Sequence, residues 1–133
     1  MSALPFAAYA WRLYVGLASD AHPDWTPETI EAAARATLDR LAPDGYTVAR
    51  TEGCWAGARE PSLVVDIVGR EWSLGDTLAR ALAGACAQGA VLLVRSSVVA
   101  EFVAAESPPP GPREWRGESG VLGAPGCRPG AVE

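Results

Sequence analysis

Lysine is absent from this 133-residue chain, histidine occurs once, and no two of its three cysteines stand in a C-x-x-C spacing. A zinc or transition-metal site draws on clustered His and Cys. His22 alone, with Cys54, Cys86 and Cys127 scattered, supplies no such set, so neither metal nor cofactor is expected. The odd cysteine count also argues against a disulfide framework. Cys54 and Cys86 fall inside periodic segments and are expected to pack as small apolar side chains; Cys127 is expected to be a free thiol. A Cys–His nucleophile would need His22 beside one of them, but His22 precedes Pro23 in a loop and is read as a surface residue.

All eleven basic residues are arginine, which accords with the composition of a GC-rich genome. The net charge is −5, and no cluster of arginines forms the basic patch that phosphate binding requires, so nucleic acid is not an expected partner. Long apolar runs are also lacking. The longest uncharged stretch, Ala81 to Val94, falls short of the roughly 20 residues of a membrane span. No basic residue precedes the apolar stretch of MSALPFAAYAW, so no signal peptide is read there and a cytoplasmic protein is the expectation. No Gly-rich phosphate loop, H-E-x-x-H or G-x-S-x-G occurs.

What is present is ordered periodicity. Tyr9 to Leu17 alternates, with Trp11, Leu13, Val15 and Leu17 on one face. Thr26 and Pro27 open a helix to Ala42 whose stripe is Ile30, Ala33, Ala34, Thr37, Leu38 and Leu41. Tyr46 to Trp55 and Ser62 to Val68 read as a hairpin. With its turn near Ala58, Arg50 would face Asp66 as a cross-strand ion pair, and Glu52 would face Val64. Ser73 and Asp76 suggest a capping box for a helix over Leu74 to Gln88, with a stripe of Leu74, Leu78, Ala81, Leu82 and Ala85. Val91 to Val94 reads as a strand buried on both faces or at an interface, and Val98 to Val103 as a further strand after a Ser96-Ser97 turn. The order β-α-β-β-α-β predicts an α+β ferredoxin-like plait over residues 1–106: a four-stranded antiparallel sheet, first and third strands central, with two helices on one face. Residues 107–133, rich in Pro and Gly without periodicity, are expected to be a disordered tail.

Four short motifs stand in this frame: R-L-Y-V-G-L (Arg12 to Leu17), G-C-W (Gly53 to Trp55), R-E-P-S (Arg59 to Ser62) and Q-G-A-V-L (Gln88 to Leu92). Their order resembles an uncharacterised family of small bacterial proteins with L-Y-x-G, G-x-W, E-x-S and Q-x-x-V-L patterns. The resemblance implies that Trp55, Glu60, Ser62 and Gln88 belong to the family pattern; it carries no activity. From the residues themselves, Glu60 either bonds backbone N–H groups at the turn or serves a recognition loop with Trp55 and Ser62. Trp25 and Trp72, each just before a helix, read as hydrophobic lids.

The candidate ligand- or partner-binding residues are therefore Arg12, Tyr14, Arg50, Trp55, Glu60, Ser62 and Asp66. An open sheet face of Arg12, Tyr14, Val48, Arg50, Val64, Asp66 and Val68 is too apolar to stay wet. The favoured function is a non-enzymatic interaction or ligand-binding module that self-associates through its sheet as a homodimer. One alternative is a cofactor-free enzyme whose dimer encloses a pocket lined by Tyr14, Arg50 and Asp66. The other is a small acidic inhibitor or adaptor, from a mobile element, with a protein partner.

Overall fold

The computed structural model describes residues 4–106; the expectations for the tail and Cys127 lie outside the described residues. Phe6–Ala100 forms one compact unit, and residues 101–106 lie in a second, where they are exposed and without regular structure. The elements of the first are β1 (Phe6–Gly16), α1 (Pro27–Leu41), β2 (Thr47–Trp55), β3 (Ala58–Gly69), α2 (Leu74–Ala85) and β4 (Leu92–Ala100). The sheet order is β2-β3-β1-β4, antiparallel throughout. This is the ferredoxin-like plait, with β1 and β3 central.

The alternation of β1 decides the layering. Trp11, Leu13 and Val15 are buried with Leu63, Val65 and Ile67 of β3, Ile30, Ala34 and Leu38 of α1, and Leu78, Leu82 and Cys86 of α2. Burying each large aliphatic contributes about 1.5–3 kcal/mol. Thr26 caps α1 by accepting from the Thr29 N–H at 3.1 Å, with Pro27 at the first helical position. The expected capping box at α2 does not form: Ser73 has helical dihedrals and makes no side-chain cap bond. Its carbonyl instead accepts from the Thr77 N–H at 3.0 Å.

The hairpin is tighter than the sequence suggested. Trp55 pairs with Ala58, leaving a two-residue turn in which Ala56 and Gly57 have φ of 50° and 83°, the type I′ pattern that matches strand twist. The resulting register differs from the expected one by an odd number of residues, which exchanges faces. Arg50 stands opposite Leu63 and Glu52 opposite Pro61, so Val48 and Arg50 share the helix side. There Arg50 reaches Glu28 and Glu31 of α1, each at 3.4 Å. The partner of Asp66 is Arg12, its cross-strand neighbour, through two bonds of 2.8 and 3.2 Å.

Further expectations are corrected. The chain after α2 makes one strand straight through Ser96-Ser97, not two. It lies at the sheet edge, where Leu92 and Val94 are about half exposed, rather than buried on both faces. Cys54, on the other edge strand, is exposed, whereas Cys86 is buried. Trp72 is also half exposed: it lies edge-on to Tyr9 at 5.0 Å and under the Arg95 guanidinium at 4.3 Å. His22 is exposed and stacks on Trp25 at 4.1 Å.

Candidate ligand-binding cleft

At the hairpin end of the open sheet face is a cleft of about 430 Å³. Three separate segments build it. The end of β1 contributes Tyr14 and Gly16, the hairpin contributes Trp55 and Glu60, and the connection into β4 contributes Gln88, Ala90, Val91 and Leu92. The hairpin is tied to β1 by the Leu17 N–H donating to the Pro61 carbonyl at 2.9 Å.

Gln88 is placed by the way α2 ends. Its N–H donates to the Ala83 carbonyl at 2.8 Å and that of Ala87 to the Gly84 carbonyl at 3.2 Å, with Ala87 at φ 51°. These are the two bonds of a Schellman motif, with alanine where glycine is usual. The side-chain Nε2 of Gln88 then donates to the carbonyls of Ala18 at 2.8 Å and Cys86 at 3.1 Å. Two carbonyl partners oblige that atom to be the amide nitrogen, so Oε1 is the free acceptor. Ser19 reinforces the junction by donating to the Ala87 carbonyl at 2.7 Å.

Gly16 is the pivot. A Cβ there would lie 2.8 Å from Gln88 Oε1 and 2.9 Å from Glu60 Oε1, so both oxygens converge on the space that the missing side chain leaves. Glu60 is partly buried, and its carboxylate bonds no backbone N–H at the turn, against that reading of the sequence. Ser62 is the cross-strand partner of Gly16. Its hydroxyl is buried without a hydrogen-bond partner, under the Trp55 indole: a Cβ on Gly53 would meet Ser62 Oγ at 2.7 Å and Trp55 Nε1 at 2.8 Å. Gly53 is what lets the indole lie down over the strand.

Of the sequence-derived candidates, Tyr14, Trp55 and Glu60 line this cleft, and Ser62 lies buried beneath Trp55. Arg12 and Asp66 sit beside it on the same face as an exposed ion pair. The Arg12 guanidinium is held charged first by its bond to Asp66 and then by the Tyr14 hydroxyl, which raise its pKa. Arg50 is on the opposite face, so Tyr14, Arg50 and Asp66 do not line one pocket. Gly16 and Gln88 were not among the candidates; the only signal for them was their place in the L-Y-x-G and Q-x-x-V-L patterns. Among the described residues, no group of three His, Cys, Asp or Glu side chains is placed to hold a metal ion. No helix among them is long and apolar enough to cross a membrane.

No family model and no curated protein matches the chain. A solved structure shares the fold. The chain is similar to CPII, a nitrogen regulatory PII-like protein from Thiomonas intermedia K12 bound to ADP, AMP and bicarbonate. The TM-score is 0.52 at 13% identity, over 76% of this chain and 100% of that one. It is also similar to a phage SAM lyase in complex with S-methyl-5'-thioadenosine, with a TM-score of 0.48 at 20% identity, over 73% of this chain and 90% of that one.

Proposed function

We propose that this protein is a non-enzymatic ligand-binding module that self-associates through its open sheet face. The observation that carries the reading is the convergence of Tyr14, Trp55, Glu60 and Gln88, from three segments, on one cleft floored by Gly16. A pocket with an apolar wall and a few aimed polar atoms is the usual form of a small-molecule site. Here the aimed atoms are free: among the described residues, Glu60 and Gln88 Oε1 have no hydrogen-bond or ion-pair partner. The PII-like protein of the same fold holds small molecules, which accords with the reading.

The four motifs of the sequence meet at this cleft, which supports the resemblance to the family with L-Y-x-G, G-x-W, E-x-S and Q-x-x-V-L patterns and a shared ligand-binding role for it. Self-association rests on the face itself. Val68, Leu92 and Val94 are each about half exposed around Tyr14 and Val64. A second copy laid over this face as a homodimer removes that surface from water and closes the cleft's mouth, so that ligand binding and assembly are linked.

The test is a thermal-shift and mass measurement of the full chain with a small-molecule library. A hit that raises Tm in the native protein and not in Trp55→Ala supports the reading. A library that raises Tm equally in both proteins, or in neither, overturns it.

A further inference from the structure

We propose that the cleft selects a small organic cation: a primary ammonium carried on an apolar or aromatic body. This rests on the ligand-binding reading above and adds the chemistry of what is bound.

Of the side-chain groups that line the cleft, the charged one and the amide atom left free are acceptors, whereas the Trp55 indole N–H and the Tyr14 hydroxyl are neutral. Glu60 brings a carboxylate without a partner among the described residues. Gln88 can offer only its oxygen, because its nitrogen is held by the Ala18 and Cys86 carbonyls. Both oxygens reach within 2.9 Å of one point over Gly16. The buried, unpartnered hydroxyl of Ser62 lies against Gly53 beneath Trp55 and is not part of this pair of acceptors. A primary ammonium carries three donors and no acceptor, which matches this set, and its charge is balanced by Glu60.

Among the described residues, no basic side chain lines the cleft. The neighbouring arginines are engaged: Arg12 by Asp66 and Arg59 by Glu52 at 3.1 Å. A carboxylate or phosphate entering here would meet Glu60 with no cation to offset it. The walls complete the assignment. Trp55, 46% exposed, and Tyr14 offer aromatic surface to a cation or a ring, and Val91 and Leu92 offer apolar surface to a hydrocarbon body.

The experiment titrates the full-length protein with three probes of one shape, phenethylammonium, 2-phenylethanol and phenylacetate, and follows the indole N–H resonances by NMR. The expected result is saturable perturbation of the Trp55 signal, at least tenfold tighter for the ammonium than for the alcohol, and none by phenylacetate. Glu60→Gln should erase that preference at unchanged Tm, because Glu60 makes no bond to the described residues. Gln88→Ala should weaken the ammonium without reversing the order. Equal or tighter binding of the alcohol or the carboxylate overturns the cation assignment and leaves the cleft as a ligand site. Failure of all three probes to move the Trp55 resonance overturns the assignment and counts against the ligand-binding reading as well.

Discussion

The indole of Trp11 lies directly on Gly75, at the start of α2: a Cβ on that glycine would fall 2.3 Å from both Cδ1 and Nε1 of the ring. The helix therefore approaches the sheet at a distance that only glycine permits. Trp11 is 1% exposed and has core on every side, so neither partner can yield. Gly75→Ala is expected to destabilise the protein by about 1–3 kcal/mol, the usual cost of overpacking, although alanine is the better helix former. Urea unfolding measures it; a gain in stability would mean that α2 stands farther from β1.

Ala56 is the mirror case, a residue whose backbone asks for something else. It occupies the first turn position at φ 50°, where L side chains other than Asn and Asp are strained. Asn-Gly is the preferred pair for this turn. Ala56→Asn should raise stability by about 0.5–1 kcal/mol, and Gly57→Ala should lower it by a similar amount or more, since Gly57 has φ 83°. The pair of variants, compared by denaturant midpoint, tests the turn type.

That turn also shows where the sequence was legible and where it was not. The order of elements followed from apolar period alone, because Trp11, Leu13 and Val15 alternate cleanly and the helical stripes repeat at 3.6. The register of β2 did not. A-G between strands is a weaker turn signal than N-G, and shifting the turn by a residue and a half moved Arg50 and Val48 to the other face. The cleft was half visible. Trp55, Glu60 and Ser62 are close in sequence to the turn, whereas Gly16 and Gln88 matter through a Schellman motif that carries alanine rather than glycine. No local rule flags that.

Cys86 gives the protein an alkaline dependence. Its thiol is fully buried, with only a weak contact to the Ile30 carbonyl at 3.7 Å, and burial pushes its pKa from 9.0 up to about 11. A raised folded pKa favours the folded state below pH 9 and loses that advantage as pH rises toward 11. The slope is about 1.4 kcal/mol per pH unit inside this window. With no lysine in the chain, the window is free of the usual ammonium titrations. Cys86→Ala should flatten the decline in Tm between pH 9 and 11 relative to wild type. In the native protein a thiol reagent should label exposed Cys54 readily and leave Cys86 unmodified.

Leu78 holds α2 to the sheet and is fully buried. Leu78→Ala should cost about 2–5 kcal/mol, a large part of the total for a domain of this size. A urea midpoint near that of wild type would show that the site collapses around the smaller side chain.

Assembly is the remaining expectation, and the register decides which variant tests it. Val64 lies on the open face between Tyr14 of β1 and Ala49 of β2, its cross-strand partners. Val68, Leu92 and Val94 extend the apolar surface, whereas Val48 sits on the helix side and contributes nothing to it. Burying such a patch is favourable at about 25 cal/mol per Å² before the costs of association, and a twofold dimer is the commonest closed arrangement. Val64→Arg puts a charge at the middle of the patch and, across a twofold axis, sets it against its own copy, while the core on the other face is untouched. The wild type is therefore expected to be a dimer at micromolar concentration, and Val64→Arg a folded monomer with unchanged far-ultraviolet circular dichroism. If light scattering instead returns a monomer mass for the wild type, the open face is not a homodimer interface, and the Glu60–Gln88 cleft opens to solvent in the working form of the protein.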